Sequence, residues 1–308
     1  MAECVSRREA IRHLIPGGIS AAVSVGSAQA SETELPTASP DAVAMLYDAT
    51  KCIGCMACVH ACAEANNLKP DTRADGLHQT PTDLNEFTKN IIKLYNPVSG
   101  PSSFVKQQCM HCLDPFCVAA CPFEALEKDP VTGVVGWDAG RCIGCRYCEV
   151  ACPYHVPKFE WNVVNPAIVK CEFCRHRLAK GQEPACTFVC PTHAVIFGNR
   201  TTLLDEAKER ISTNPGKYFE NRVYGEREAG GTQVLYLSQV SFASIGLPSL
   251  SENERPSWYL RWQKRVFKFF ALPLLLYAFF VHKMRENFAE HAEELRKEKE
   301  ETDFYPQL

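Results

Sequence analysis

Four stretches of closely spaced cysteines constrain this chain more than any other feature. It has 17 cysteines in 308 residues, and all but Cys4 fall into four quartets, named here motifs one to four. Each motif opens with Cys-x₂-Cys and closes with Cys-x₃-Cys. In chain order, they are Cys52, Cys55, Cys58 and Cys62; Cys109, Cys112, Cys117 and Cys121; Cys142, Cys145, Cys148 and Cys152; and Cys171, Cys174, Cys186 and Cys190.

This spacing is typical of ligands to [4Fe–4S] clusters in bacterial ferredoxins. Three thiolates two residues apart let a short loop wrap around one corner of a cubane, while the fourth cysteine points to a second cluster. Zinc sites also use Cys-x₂-Cys. Motif four has 11 residues between Cys174 and Cys186, so a structural zinc or a [3Fe–4S] centre stays an alternative there. The four motifs together predict four [4Fe–4S] clusters.

The order of the motifs predicts how the clusters are shared. Motifs two and three are adjacent and are enclosed by motifs one and four, which indicates an inner and an outer pair of clusters. The sequence alone does not prove the exchange of the fourth cysteine, but the ferredoxin rule predicts it. The predicted ligand sets are Cys52, Cys55, Cys58 and Cys190; Cys171, Cys174, Cys186 and Cys62; Cys109, Cys112, Cys117 and Cys152; and Cys142, Cys145, Cys148 and Cys121.

The predicted fold class is α+β, with two nested ferredoxin-like dicluster modules and a C-terminal transmembrane helix. Residues 44–103 and 165–250 would form the outer module, and residues 104–164 the inner one. Outside the motifs, a helix is expected over Thr201–Ile211 and a strand over Gln233–Val240, because apolar residues recur there at helical and alternating spacing. The Pro-containing, polar stretch 66–103 is expected to be a long connecting loop.

The N-terminus carries the pattern of an export signal. Arg7 and Arg8 precede a weakly apolar stretch, and Ala28-Gln29-Ala30 matches a cleavage site. This layout resembles the twin-arginine class, over residues 1–30, followed by a linker over 31–43; a solvated arginine pair on a short helix is the alternative. The resemblance implies export after cofactor loading, so that iron, and not disulfide formation, would protect the thiols.

A second apolar stretch lies near the C-terminus. Residues 266–281 are apolar except for Lys268, and we predict one spanning helix over 258–284, with a charged, solvated tail over 285–308. Sixteen residues at about 1.5 Å each fall short of a roughly 30 Å bilayer core. The alternative is therefore an amphipathic or buried helix against a partner. Trp258, Tyr259 and Trp262 would lie in the interfacial belt.

Several charged residues lie beside the cysteines. A positive charge next to a cluster would raise its reduction potential, because it stabilises the reduced, more negative form; ordinary surface charge is the alternative. The candidates are Lys51, Arg141, Arg146 and Lys170. His111 and His155 lie next to motifs but are not expected to be ligands, since sixteen cysteines already fill four clusters. The net charge of −3 does not favour nucleic acid as a partner.

The motifs and their flanks resemble the four-cluster electron-transfer subunits of membrane-bound respiratory oxidoreductases, particularly the hydrogenase-2 type. The segments that carry this likeness are Gln108-Cys-Met-His-Cys-Leu-Asp-Pro, Lys128-Asp-Pro-Val-Thr-Gly, Gly144-Cys-Arg-Tyr-Cys, Ala151-Cys-Pro-Tyr-His-Val-Pro-Lys and Tyr224-Gly-Glu-Arg-Glu-Ala-Gly-Gly-Thr-Gln-Val-Leu. Formate dehydrogenase β subunits share Gly181-Gln-Glu-Pro-Ala-Cys and the Gly-Gly-Thr segment.

The resemblance implies a non-catalytic relay. A [NiFe] uptake hydrogenase, made of a large and a small subunit outside the inner membrane, would supply electrons. An integral membrane subunit that reduces quinone would receive them. The chain would lie on the periplasmic side of the inner membrane, anchored by one C-terminal helix. The alternative is the same relay in a formate dehydrogenase or another molybdopterin enzyme, and a structural zinc or disulfide protein is the competing class.

Overall fold

Short strands and helices surround the cysteine motifs in the described part of the chain, and longer helices lie outside the motifs. The computed structural model describes residues 36–69, 83–161, 163, 166–254, 256, 258–269 and 271–303. The predicted signal peptide (1–30) and the first part of the predicted linker (31–35) lie outside these residues. The mixture of elements confirms the predicted α+β class; the division into nested modules and its boundaries stay a prediction.

The elements are numbered in chain order. The strands are β1 (Val43–Asp48), β2 (Asn90–Tyr95), β3 (Ser103–Gln108), β4 (Leu126–Lys128), β5 (Val135–Trp137), β6 (Lys158–Phe159), β7 (Ile168–Val169), β8 (Val195–Asn199) and β9 (Val234–Leu237). The α-helices are α1 (Ala57–Ala65), α2 (Phe116–Ala119), α3 (Tyr147–Ala151), α4 (Arg175–Leu178), α5 (Ala185–Phe188), α6 (Arg200–Thr213), α7 (Trp258–Phe269) and α8 (Ala271–Asp303).

A three-stranded sheet in the order β8-β1-β9 supports the motifs. Strand β1 pairs antiparallel with β8 and parallel with β9. Because successive side chains of a strand point to opposite faces, Ala44 and Leu46 face the helix α6 and lie in one core cluster with Leu203. Met45 and Tyr47 lie in the larger core cluster that contains cysteines of motifs one, two and four. The sheet therefore separates a plain apolar core from the cysteine-bearing core.

Helix α6 confirms the predicted helix over Thr201–Ile211. It begins after Asn199, whose side-chain oxygen accepts a hydrogen bond from the backbone N–H of Thr201 at 2.9 Å, as an N-cap residue does. Leu203 and Ala207 are buried, whereas Asp205 and Lys208 are exposed. The apolar stripe thus packs on the sheet as its spacing predicted.

Of the other two scaffold predictions, the strand over Gln233–Val240 is confirmed and the loop over residues 66–103 is wrong in part. A strand does lie within Gln233–Val240, as β9, but all four of its residues are buried, because α6 covers one face of the sheet and the cysteine-bearing core covers the other. The loop predicted over residues 66–103 is wrong in part: Asn90–Tyr95 form strand β2, which pairs antiparallel with β3. Two further antiparallel pairs, β4-β5 and β6-β7, complete the strands of the described region.

The C-terminal segment is helical, in two pieces. Helix α7 contacts the body through the Lys264–Glu124 ion pair at 3.4 Å and the rings of Phe267 and Phe123, 6.1 Å apart. The structure contradicts the predicted spanning helix over 258–284: among the described residues, no helix combines the length and the apolar content that crossing a membrane requires. In α8, the apolar run ends at Val281 and is followed by His282 and Lys283.

Candidate metal centres

The four motifs share one backbone conformation before their second cysteine. The residue at this position has a left-handed φ in every motif: 69° at Gly54, 48° at His111, 71° at Gly144 and 51° at Phe173. A left-handed residue reverses the direction of the chain locally, and for a residue with a side chain it is a strained conformation. The loops are thus bent so that successive thiols can face a common centre.

Motifs two, three and four also share the turn after their last cysteine. Proline follows Cys121, Cys152 and Cys190, and the residue two positions beyond each proline is left-handed: Glu124 (54°), His155 (51°) and His193 (48°). Motif one lacks this proline. Instead, α1 continues to Ala65 and ends at Asn66. This departure from the repeat was visible in the sequence, and it gives motif one a helix end where the others have a turn.

The structure brings the sixteen described cysteines together in four groups, each with members from two motifs. The groups are named by the ligand sets that the nesting of the motifs predicts, and their binding of clusters stays a prediction. They are thiol group 1 (Cys52, Cys55, Cys58, Cys190), thiol group 2 (Cys62, Cys171, Cys174, Cys186), thiol group 3 (Cys109, Cys112, Cys117, Cys152) and thiol group 4 (Cys121, Cys142, Cys145, Cys148).

Groups 1 and 4 each line a cavity. All four cysteines of group 1 line one cavity, with apolar walls that include Tyr47 and Ile92. All four cysteines of group 4 line another, with walls that include Leu126 and Phe159. Each cavity is therefore lined by four cysteine side chains, and its other walls are largely apolar. Such walls limit the access of water to whatever the thiols hold.

The electrostatic effects among the buried thiols of groups 2 and 3 agree with the predicted ligand sets. Burial raises the pKa of Cys62, and the neighbouring thiolates of Cys171, Cys186 and Cys174 raise it further. Burial likewise raises the pKa of Cys112 well above its ordinary value, with further contributions from Cys152, Cys109 and Cys117. Burial and mutual repulsion thus disfavour the thiolate form of these cysteines, and a cationic centre would reverse this preference.

The groups follow one another in the order 1-2-3-4. Burial raises the pKa of Cys58 in group 1 to about 12, and the thiolate of Cys186 in group 2 contributes. The pKa of Cys171 in group 2, raised to about 11 mainly by burial, is raised further by Cys109 in group 3. Cys117 in group 3 is affected in the same way by Cys148 in group 4. Packing agrees with this order, since Cys58, Cys186 and Cys109 of groups 1, 2 and 3 lie in one core cluster, and Cys117 and Cys148 of groups 3 and 4 lie in another.

The two ends of this order reach the surface. Among the sixteen described cysteines, Cys55 in group 1 and Cys145 in group 4 are the exposed ones. Beside them lie the exposed side chains of Ile53 and Ile143. Groups 2 and 3 consist of buried cysteines, except for the partly exposed Cys152. Access from outside is thus best at groups 1 and 4.

Lys106 is a functional candidate that sequence reasoning missed. It lies on β3, is 1% exposed, and donates a hydrogen bond to the side-chain oxygen of Gln108. Burial lowers the pKa of Lys106, but thiolates of groups 1 and 2, chiefly Cys186 and Cys58, outweigh this effect and raise it above its ordinary value. The sequence analysis gave this lysine no role, because it lies outside the four motifs, three residues before Cys109, on a strand that was not predicted.

The four charged residues singled out in the sequence differ in their surroundings. Lys170 is 2% exposed and donates to the carbonyl oxygens of Val135 at 2.5 Å and Cys171 at 3.0 Å. Arg141 is exposed and pairs with Asp138 at 2.8 Å. The guanidinium of Arg146 lies 4.0 Å from the ring centroid of Trp161, and Lys51 is partly exposed. Buried charge beside the thiols is therefore a property of Lys170, whereas Arg141 is ordinary surface charge.

The residues present fit iron–sulfur clusters. None of the sixteen described cysteines is in a disulfide. In the described region, no group of three His, Cys, Asp or Glu side chains is placed so that it could hold a single metal ion. The fully buried His111 accepts a hydrogen bond at Nδ1 from the N–H of Val135 at 3.0 Å, so that in the neutral ring Nε2 carries the proton. The ring also stacks on Phe173, with the ring centroids 4.1 Å apart, so His111 is held between the loops of motifs two and four.

Comparisons with known proteins agree with this chemistry. The model of a 4Fe-4S dicluster domain matches residues 101–200, which contain motifs two, three and four. The hydrogenase-2 operon protein HybA of Escherichia coli O157:H7 is 38% identical over 281 residues, covering 80% of this chain and 85% of HybA. The chain belongs to the HybA-like family of iron–sulfur electron-transfer subunits. The formate dehydrogenase-O iron–sulfur subunit of Escherichia coli K12 is also similar, at 34% identity over 73% of this chain and 76% of its own length.

Membership of this family decides the class of function. The chain carries [4Fe–4S] clusters and transfers electrons. The nitrate-inducible formate dehydrogenase iron–sulfur subunit of Escherichia coli K12, 34% identical over 63% of this chain and 67% of its own length, belongs to the same set of relatives. The competing interpretation as a structural zinc or disulfide protein is not supported.

Proposed function

We propose that thiol groups 1 to 4 each bind one [4Fe–4S] cluster and that the chain is the non-catalytic relay of a respiratory oxidoreductase. The single observation that carries this proposal is the order of the groups between the two exposed cysteines, Cys55 and Cys145. Electrons would enter near one of them and leave near the other. The buried groups 2 and 3 would bridge the interior.

The roles of the protein's own residues follow from this arrangement. When bound, a [4Fe–4S] cluster supplies a one-electron carrier whose potential depends on its surroundings. The cysteines fix its position, and the apolar walls around them, such as Ile92 and Phe159, exclude water. The buried cations Lys106 and Lys170 offset part of the negative charge of the thiolates. No residue of the chain is proposed to bind or transform a substrate.

The proposed electron donor is a catalytic dimer, a [NiFe] uptake hydrogenase, and the proposed acceptor is an integral membrane subunit that reduces quinone. The similarity to HybA, a hydrogenase-2 operon protein, supports the first. Exposed apolar side chains on α8 support contact with an apolar partner surface; among them are Leu272, Leu275, Leu276, Tyr277, Phe279 and Phe280. The twin-arginine pattern of residues 1–30 supports a place on the periplasmic side of the inner membrane.

A second candidate is the same relay in a formate dehydrogenase or another molybdopterin enzyme. The 34% identity to two formate dehydrogenase iron–sulfur subunits favours it. The two candidates differ in the catalytic partner that should remain bound to the chain. Isolation of the intact complex from membranes, followed by metal analysis, distinguishes them: nickel indicates the hydrogenase, and molybdenum or tungsten indicates the alternative.

The relay itself is tested with the intact complex. Reduction of an artificial dye needs the catalytic partner alone, whereas reduction of quinone needs the whole path. We expect a complex that contains the chain to reduce both, and a complex reconstituted without it to reduce only the dye. Quinone reduction at full rate without the chain would contradict the proposed function.

A further inference from the structure

The side-chain amide of Asn66 lies against sulfur atoms from two different motifs. Its Nδ2 is 3.6 Å from Sγ of Cys62 and 3.8 Å from Sγ of Cys174, and both cysteines belong to thiol group 2. The same nitrogen donates to the carbonyl oxygen of Cys62 at 2.8 Å. An amide NH₂ carries two N–H bonds, so one can serve the carbonyl while the other points to the sulfur pair.

A lysine determines which way this amide faces. Lys89 Nζ donates to Oδ1 of Asn66 at 3.0 Å. Because an ammonium group can only donate, the amide oxygen must face Lys89 and the NH₂ group must face the sulfurs. The two ends of an amide are otherwise difficult to tell apart. Lys89 is held in turn by Glu172 Oε2 at 3.3 Å, and Glu172 Oε1 accepts from the backbone N–H of Trp137 at 3.1 Å.

The backbone also fixes the position of Asn66. It is the residue at which α1 ends, and its N–H donates to the carbonyl oxygen of Cys62 at 3.2 Å. This helix end exists because motif one lacks the proline that follows the last cysteine in the other three motifs. The one departure from the repeat thus delivers a side-chain donor to the sulfurs of group 2.

We propose that Asn66 is a positioning residue that donates an N–H···S hydrogen bond to the thiolates of Cys62 and Cys174 and thereby raises the reduction potential of the cluster in thiol group 2. Hydrogen bonds to cluster sulfurs are one of the factors that set this potential. They stabilise the reduced form more, because that form carries more negative charge. The inference rests on the proposed function, since it requires a cluster at group 2.

The test is a redox titration followed by EPR on the full, anaerobically purified chain. Asn66→Asp removes both N–H donors and adds a negative charge. The matched control is Asn67→Asp, which adds the same charge one residue away on an exposed side chain; Asn67 has a φ of 50°, which aspartate tolerates. Asn66→Ala removes the donors without adding charge.

We expect one of the four titrating components to shift to lower potential in both Asn66 variants. At a fixed potential its ratio of reduced to oxidised form should fall about tenfold or more in Asn66→Asp, which corresponds to about 59 mV for one electron. The shift should be smaller in Asn66→Ala and absent in Asn67→Asp. The proposal would be overturned if all four potentials stayed unchanged in fully loaded Asn66→Asp and Asn66→Ala. It would also be overturned if Asn67→Asp shifted one potential by the same amount.

A measurement on the unaltered chain covers the case in which the variants lose iron. Wild-type protein labelled with ¹⁵N in the side-chain amide of asparagine should show a ¹⁵N hyperfine coupling to one reduced cluster in pulsed EPR. Its absence would overturn the proposal even if both variants fail to load. A wild-type chain without iron would instead contradict the proposed function, so the two failures are distinguishable.

Discussion

Gly54 faces the ring of Phe104 so closely that a Cβ atom on this glycine would lie 2.4 Å from the nearest ring carbon. Gly54 precedes the second cysteine of motif one, and Phe104 lies on β3. The contact therefore links the loop that bears group 1 to the β2-β3 hairpin. This position therefore needs glycine for two reasons. Its φ of 69° is left-handed, and the ring of Phe104 leaves no room for a Cβ atom.

The first prediction concerns this glycine. Gly54→Ala should destabilise the chain by about 1–2 kcal/mol through the left-handed backbone and by about 1–3 kcal/mol more through the clash with Phe104. The control is Gly181→Ala, where φ is 70° but nothing lies within 4 Å of the added Cβ, so only the first cost applies. Thermal unfolding under anaerobic conditions measures both. Equal losses of stability in the two variants would show that the contact with Phe104 has no effect.

The second prediction concerns the end of the proposed path. Cys145→Ser should alter the EPR signal of one cluster and reduce quinone reduction by the intact complex to background, since Cys145 belongs to group 4 at an exposed end. Dye reduction by the catalytic partner should persist. Cys4→Ser is the control, because Cys4 lies outside the four motifs and the change should leave both activities intact. Full quinone reduction in Cys145→Ser would contradict the relay.

The third prediction concerns the buried cation between groups 1 and 2. Lys106→Met should lower the potential of at least one cluster, by about 59 mV if the ratio of reduced to oxidised form falls tenfold. Because the neighbouring thiolates hold the pKa of Lys106 above its ordinary value, its charge persists through neutral pH and the shift should be the same at pH 6 and pH 9.

The control for this variant is Lys93→Met on the neighbouring strand β2, which removes the same charge from a partly exposed side chain paired with Asp83 at 3.8 Å. Solvent screens such a charge, so we expect no comparable shift. A potential that changes equally in both variants, or in neither, would show that burial beside the thiols does not tune the clusters.

The fourth prediction concerns helix α8. Ending the chain before Ala271 removes α8 but keeps the contacts of α7 with the body, Lys264–Glu124 and Phe267–Phe123. All sixteen cysteines of the motifs remain, so the iron content should be unchanged. Association with membranes should weaken, because the exposed apolar side chains of α8 are lost. Removal of residues 304–308 alone serves as the control, and membrane binding that is equal in both would exclude a role for α8.

The iron–sulfur chemistry of this protein could be predicted from its sequence, because the spacing of the cysteines within each motif is a local pattern. Three thiols two residues apart indicate a cluster whatever the rest of the chain does, and the nesting of the motifs predicts which cysteines share a cluster. Helix α6 was equally predictable, since its apolar stripe is a local pattern.

What the sequence did not predict depends on contacts between distant segments. Strand β2 was taken for a loop, because its polar flanks outweighed the short apolar stretch. The parallel pairing of Leu46 with Leu235 has no local signal. Lys106 and Asn66 acquire their roles only when their segments lie beside cysteines from other motifs. The predicted spanning helix failed for a different reason, because the apolar run of sixteen residues is already shorter than a bilayer core requires.

The measurement that tests the account most directly is a reductive titration of the anaerobically purified full chain, monitored by EPR together with iron and acid-labile sulfide analysis. We predict about sixteen iron and sixteen sulfide per chain, four of each for every cluster, and reduced clusters whose EPR signals broaden one another as neighbours in a row. A folded chain that is colourless and free of iron, or that binds stoichiometric zinc instead, would contradict the account.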